Sequence, residues 1–70
     1  MEGYETKRIE YAYPTSQLAE QYGYGRKGCY TISLVHRPGA VGVVIDAYPT
    51  YEAARAAADK IPMAYNAYTR

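Results

Sequence analysis

Two stretches near the middle of the chain alternate apolar and polar residues. From Cys29 to His36 every second residue is apolar, beginning at Tyr30, and the stretch from Val41 to Tyr48 repeats the pattern. A period of two places alternate side chains on opposite faces of a strand. The intervening Arg37-Pro38-Gly39-Ala40 has the composition of a type II turn, because proline presets φ and glycine accepts a positive φ. These features predict a central antiparallel hairpin.

A helix is predicted directly after this hairpin. Pro49 breaks the second strand, and the Thr50 hydroxyl can cap a helix that runs from about Tyr51 to Lys60. One face of this helix is small and apolar, and we expect it to pack closely on the sheet. That face consists of Ala54, Ala57, Ala58 and Ile61, and the solvent-facing charges are Glu52, Arg55 and Asp59.

The N-terminal half of the chain predicts one more strand and one short helix. The alternation from Thr6 to Tyr13 indicates a strand. Either Thr15 or Ser16 can then cap a helix of about two turns, Gln17 to Tyr22. Gly23 follows where a helix C-terminus favours a left-handed residue. So short a helix requires tertiary packing in order to form.

The predicted fold is a two-layer α+β domain with a three-stranded sheet, in the order β-α-β-β-α. The 70 residues fit one small domain, with residues 1–5 and 63–70 as candidate flexible ends. The pairing of the first strand stays open. It can lie parallel to its partner across a helical crossover, or antiparallel if the short helix acts as a turn.

Tyrosine dominates the aromatic composition, with ten Tyr and neither Phe nor Trp. Tyr11 and Tyr30 follow the apolar alternation and are expected in the core. Tyrosine is also enriched at protein interfaces, and its ring stacks on bases of single-stranded nucleic acid. Because few aliphatic residues are available for the core, a partner protein or a homodimer is plausible. Four tyrosines are expected at the surface: Tyr22, Tyr24, Tyr65 and Tyr68.

The charge and the apolar runs exclude several classes of protein. The formal net charge of +1 argues against both a histone-like basic binder and an acidic mimic of DNA. The single cysteine excludes an internal disulfide, and no apolar run approaches the ~20 residues that span a membrane. The N-terminus lacks a signal-peptide pattern. We therefore expect a cytoplasmic protein without a membrane partner, in a bacterial host if the chain is phage-encoded.

The segment from Gly23 to Gly28 matches G-x-G-x-x-G, but its context is wrong for a nucleotide site. A dinucleotide fold needs a strand before the glycines and a helix after them, whereas here the helix comes first. We interpret the segment as a flexible connection between helix and strand. Its two cations, Arg26 and Lys27, can still pair with carboxylates or phosphates.

No catalytic constellation is evident in the sequence. Cys29 and His36 are seven residues apart on one predicted strand, and this odd separation places them on opposite faces. The acidic residues are scattered, and no metal-ligand spacing occurs. The sequence therefore predicts no enzymatic activity, no cofactor and no metal.

The first functional hypothesis is a non-enzymatic module that binds another protein. In its small size, single domain and lack of catalytic residues, the chain resembles accessory proteins of phages and mobile elements, such as anti-CRISPR inhibitors of bacterial defence complexes. This resemblance implies an inhibitor of a larger protein complex. The predicted partner-binding residues are Tyr22, Tyr24, Arg26, Lys27, Arg37, Tyr65 and Tyr68.

The alternative hypothesis is a small nucleic-acid-binding protein. Arginine and lysine side chains would contact phosphates, while Tyr22 and Tyr24 stack on bases. The near-zero net charge favours the protein-binding hypothesis. The cations that the alternative would use are Lys7, Arg8, Arg26, Lys27 and Arg37.

Overall fold

One mixed four-stranded sheet and two helices make up the fold. The computed structural model describes residues 3–36 and 41–66. The α+β class predicted from the sequence is confirmed, but the sheet has one strand more than expected. The elements are β1 (Thr6–Ala12), α1 (Gln17–Gln21), β2 (Cys29–Val35), β3 (Val43–Tyr48), α2 (Tyr51–Ala58) and β4 (Ala64–Tyr65).

The strands lie in the order β3-β2-β1-β4. β2 is antiparallel to both of its neighbours, and Ile9 of β1 lies opposite Ile32 of β2. The open question of how the first strand pairs is thereby answered. β4 runs parallel to β1, with Thr6 opposite Ala64. The predicted order β-α-β-β-α is wrong in lacking β4, because a strand of two residues has no alternation that a sequence pattern can detect.

The predicted hairpin is present as an antiparallel pair of β2 and β3, and its turn, residues 37–40, lies outside the described part of the chain. A β-bulge changes the phase of β3: Ile32 lies opposite Asp46 but Ser33 lies opposite Val44, so Ile45 is an extra residue. An extra residue reverses the facing of every later side chain. The prediction that alternate residues from Val41 to Ala47 share one face is therefore wrong.

Helix α2 covers one face of the sheet. Ile9 and Ile32 pack there against Ala54 and Ala58, all fully or almost fully buried, as the alanine periodicity predicted. The Thr50 hydroxyl accepts a hydrogen bond from the Ala53 N–H at 3.2 Å, which confirms the predicted cap.

Helix α2 ends at Ala58, two residues before the predicted end. There the Lys7 ammonium donates hydrogen bonds to the carbonyls of Ala58 and Ile61, at 2.7 and 2.8 Å. A cation at this end also interacts favourably with the helix dipole. Lys7 of β1 therefore fixes the C-terminal end of α2 to the sheet.

Helix α1 packs on the opposite face of the sheet. Its Ala19 forms a buried cluster with Ala12, Cys29 and Ala47. Ala12 is three residues from Ile9, and an odd separation along a strand places two side chains on opposite faces. The two helices thus lie on different faces of the sheet, whereas the sequence suggested a single helix-covered face.

Both described ends of the chain contact the sheet. The Glu5 N–H donates to the Val35 carbonyl at 3.0 Å, and the Tyr4 ring stacks on His36 at a centroid distance of 4.3 Å. At the other end, the Asn66 N–H donates to the Lys7 carbonyl at 2.7 Å. These hydrogen bonds attach Glu5 to β2 and Asn66 to β1.

Candidate functional site

The candidate site lies at the end of helix α1. The Ser16 hydroxyl accepts a hydrogen bond from the Ala19 N–H at 3.2 Å. Ser16, and not Thr15, is therefore the N-cap of the helix. The helix ends at Gln21 with Tyr22 as its C-cap, and Gly23 has φ +84°, as predicted for the residue that stops the helix. The chain is therefore turned sharply at Gly23, toward the segment that carries Arg26 and Lys27.

The glycine-containing segment after α1 forms a compact, hydrogen-bonded turn. The Tyr24 N–H donates to the Ala19 carbonyl at 2.8 Å. The Tyr24 carbonyl accepts from the N–H groups of Lys27 and Gly28, at 3.0 and 2.8 Å. Gly28 has φ +74°, and a Cβ there would lie 2.8 Å from the Ala12 carbonyl oxygen, so only glycine fits. The interpretation of this segment as a loose connection does not account for these contacts.

A groove of about 570 Å³ opens beside this turn. One wall is the turn itself, and Pro49, in the connection between β3 and α2, lines the groove as well. Residues far apart in sequence thus enclose a single concave surface. The lining residues are Glu20, Gly23, Tyr24, Gly25, Arg26, Lys27 and Pro49.

The groove carries charges of both signs. Arg26 and Lys27 are exposed, and so is Glu20 on the last turn of α1. Among the described residues there are two salt bridges, and neither involves a residue of the groove. The two cations and the carboxylate are therefore available to a ligand.

Two of the predicted tyrosines pack against the core on one side. Tyr22 and Tyr24 are half-buried and pack against the cluster of Ala12, Ala19, Cys29 and Ala47. Only Tyr24 of the two lines the groove. A ring anchored on one side loses little conformational entropy when its other side contacts a ligand.

Tyr65 lies elsewhere, at the C-terminal end of α2. Its ring has the Lys7 Nζ atom 4.5 Å from its centroid and the Arg55 Cζ atom at 4.4 Å. Its hydroxyl donates to Asp59 Oδ1 at 2.6 Å. Burial, together with this hydrogen bond, raises the pKa of Tyr65 to about 12, and the same bond lowers the pKa of Asp59. Tyr65 therefore has a structural role in joining β4 to α2.

Two predicted partner-binding residues, Arg37 and Tyr68, lie outside the described residues. The structure therefore brings together three of the seven predicted residues in the groove, namely Tyr24, Arg26 and Lys27. Tyr22 does not line the groove and instead packs against the buried cluster that contains Ala19.

Sequence reasoning missed Glu20 and Pro49. Glu20 looked like an ordinary exposed helix charge, and Pro49 looked like a strand breaker. The groove is lined by two turns that are distant in sequence, and no local pattern encodes their proximity. One indication was present, since Glu20 is three residues before Gly23 and so belongs to the helical turn that the glycine ends.

Two cations that the nucleic-acid hypothesis would use are directed into the domain. Lys7 is only 4% exposed, because its ammonium contacts the end of α2. The side chain of Arg8 is 14% exposed, and its Nη2 atom lies 3.4 Å from a Glu10 carboxylate oxygen. Neither side chain is arranged to contact a phosphate backbone.

Cys29 and His36, which the sequence does not support as a catalytic pair, lie in different environments. Cys29 is fully buried beneath α1, and this burial raises the pKa of its thiol. His36 is exposed, follows the other end of β2, and donates from Nδ1 to the Gly3 carbonyl at 2.5 Å. A buried thiol with a raised pKa has little of the thiolate form that reacts as a nucleophile.

Over residues 3–36 and 41–66, no group of three His, Cys, Asp or Glu side chains is arranged to hold a metal ion. In the same part of the chain no helix is long and apolar enough to cross a membrane. No protein-family model, curated protein or solved structure matches this chain. Its function is therefore inferred from the groove and the residues around it.

Proposed function

We propose that this chain is a non-enzymatic module that binds another protein through the groove beside residues 23–28. The observation that carries the proposal is the convergence of Tyr24, Arg26 and Lys27 on one concave surface with Pro49. An aromatic ring beside an arginine is the composition typical of interface hot spots.

Each residue of the groove has a distinct role in this proposal. The Tyr24 ring, already anchored on the core, provides apolar contact area together with Pro49. The Arg26 guanidinium presents a planar fork of donors that suits a carboxylate of the partner. Lys27 adds a second positive charge at the rim. The hydrogen-bonded turn fixes the backbone that carries these side chains, which reduces the entropic cost of association.

The proposed biological role is inhibition of a larger protein complex, as the resemblance to anti-CRISPR proteins implies. A small module can block a complex by occupying one of its surfaces, without any chemistry of its own. The small size of the chain and its near-neutral charge support this role. Bacterial defence complexes are the first targets to examine.

Nucleic-acid binding is the second candidate. The observation in its favour is that two exposed cations, Arg26 and Lys27, flank an aromatic ring. The burial of Lys7 and the limited exposure of Arg8 favour the protein-binding proposal.

The proposal is tested by capturing partners from the native host and identifying them by mass spectrometry. The affinity of the purified partner is then measured by calorimetry for the parent chain, Tyr24→Ala and Arg26→Ala. We expect Tyr24→Ala to weaken binding by about 30-fold, the loss typical of a hot-spot residue. Tyr13→Ala is the matched control, because Tyr13 is 64% exposed and does not line the groove.

Two further measurements make the outcome decisive. Circular dichroism and thermal unfolding must show that Tyr24→Ala stays folded. A salt series with single-stranded and duplex oligonucleotides tests the second candidate, because phosphate contacts weaken steeply as salt rises. Equal losses for Tyr24→Ala and Tyr13→Ala would contradict the proposal. Micromolar oligonucleotide binding at physiological salt, lost in Arg26→Ala, would favour the second candidate.

A further inference from the structure

Glu20 lies within the groove although its charge is opposite to that of the two cations. Its side chain extends over the turn, and a Cβ added to Gly25 would lie 3.0 Å from Glu20 Cγ. The absence of a side chain at Gly25 therefore leaves room for Glu20 beside Arg26 and Lys27.

Glu20 forms no salt bridge with Arg26 or Lys27. The two salt bridges among the described residues join Arg8 to Glu10 and Arg55 to Asp59. A ligand in the groove therefore meets a carboxylate as well as the cations. A ligand charge that lies within the Debye length of ~8 Å at physiological salt is only partly screened from the Glu20 carboxylate.

The Glu20 carboxylate suits one kind of ligand better than another. A nucleic-acid backbone carries a negative charge on every phosphate, so a strand that follows the groove would place one of them near Glu20. A peptide segment can pair with charges of both signs in the groove if it presents a carboxylate to Arg26 or Lys27 and a cation to Glu20. Repulsion of the wrong ligand contributes to specificity as much as attraction of the right one.

We propose that Glu20 is the specificity-determining residue of the groove, and that the groove accepts a partner segment with an acidic and a basic side chain close together. This inference rests on the proposed function of the groove. Glu20 accepts hydrogen bonds from the basic side chain of the partner and excludes phosphate backbones.

The first test measures whether Glu20 excludes polyanions. Fluorescence anisotropy gives the affinity of a 20-nucleotide oligodeoxythymidine for the parent chain, Glu20→Gln and Glu52→Gln. Glu52 is exposed on α2 and does not line the groove, so both variants change the net charge equally. We expect Glu20→Gln to bind the oligonucleotide about fivefold more tightly at low salt. Glu52→Gln should have a much smaller effect.

The second test measures whether Glu20 selects a basic side chain. Two capped peptides, Ala-Asp-Ala-Lys-Ala and Ala-Asp-Ala-Gln-Ala, are titrated into labelled protein, and the amide shifts of Tyr24, Arg26 and Lys27 are followed by NMR. The parent chain should bind the lysine peptide several-fold more tightly, and Glu20→Gln should lose this preference. Glu52→Gln should keep it.

The outcomes separate this inference from the proposed function. Equal gains in oligonucleotide affinity for Glu20→Gln and Glu52→Gln would overturn the inference, since they would reflect net charge alone. An unchanged peptide preference in Glu20→Gln would also overturn it, even if Tyr24→Ala still abolished partner binding. If Tyr24→Ala left partner binding intact, the groove would not be the interface, and the proposed function would fail together with the inference.

Discussion

Thr15, which lies between β1 and α1, has φ +67°, a left-handed conformation that is rare for a β-branched residue. Strain of this kind costs about 1–3 kcal/mol and persists only where surrounding contacts hold the backbone. Such contacts are present here. The Thr15 N–H donates to the Gly25 carbonyl at 2.5 Å, which ties this residue to the turn that forms the groove.

Replacing Thr15 with asparagine should stabilise the protein. Asparagine tolerates the left-handed region better than threonine, so we expect Thr15→Asn to raise the free energy of unfolding by about 1 kcal/mol. Urea denaturation measures this change. Thr50→Asn is the control: Thr50 has φ −127°, and asparagine caps a helix as well as threonine does. A less stable Thr15→Asn would indicate that the threonine hydroxyl matters more than the backbone strain.

Tyr65 should make the stability of the protein depend on alkaline pH. Its pKa is raised from 10.0 to about 12 by burial and by the hydrogen bond to Asp59. A pKa that is higher in the folded state contributes stability that is fully present below pH ~10 and is lost as the pH rises toward 12. We therefore expect Tyr65→Phe to flatten the fall of unfolding free energy between pH 10 and 12. Parallel curves for the parent chain and Tyr65→Phe would contradict this assignment.

At the scale of elements, α2 owes its position to small residues. Ala54 and Ala58 are fully buried against Ile9 and Ile32, so the helix backbone lies close to the sheet. Closely packed interiors tolerate added volume poorly. Helix α1, with five residues, is too short to be stable alone and depends on Ala19 packing onto Ala12 and Cys29.

Enlarging the buried face of α2 should destabilise the domain. We expect Ala58→Leu to lower the free energy of unfolding by about 1–3 kcal/mol through overpacking. Ala56→Leu is the matched control, because Ala56 belongs to the same helix but is exposed. Chemical denaturation of the two variants compares them directly. If both variants were as stable as the parent chain, the close approach of α2 to the sheet would be refuted.

At the scale of the whole molecule, β3 is the longer of the two edge strands in the described sheet. It and the residues before it expose Val41, Val43 and Ile45, the last two at 50% and 43%. Exposed edges of this kind can pair with another strand. The homodimer considered from the sequence would use such an edge, and the net charge of +1 would not oppose it.

Hydrogen exchange distinguishes a covered edge from an open one. β2 is paired on both sides, so its amides should exchange most slowly, whereas outward-facing amides of β3 should exchange quickly in a monomer. NMR at two protein concentrations provides the measurement. Protection of the β3 edge that increases with concentration would indicate that a second copy covers it.

The sequence by itself determined the elements whose causes are local. Alternation predicted β1, β2 and β3, the Thr50 hydroxyl and alanine spacing predicted α2, and Gly23 marked the end of α1. It also predicted that Tyr24, Arg26 and Lys27 would lie together, because they are neighbours in one short segment. Short-range patterns are sufficient for such features, since each depends on the chemistry of a few consecutive residues.

Only the tertiary structure decided the features that need distant contacts. β4 forms because Ala64 meets Thr6, and Ile45 becomes a bulge because β2 fixes the register of β3. The groove exists because Pro49 lies near the turn after α1. Each of these depends on packing between segments separated by more than ten residues. A local pattern contains no information about which distant segment will supply the partner.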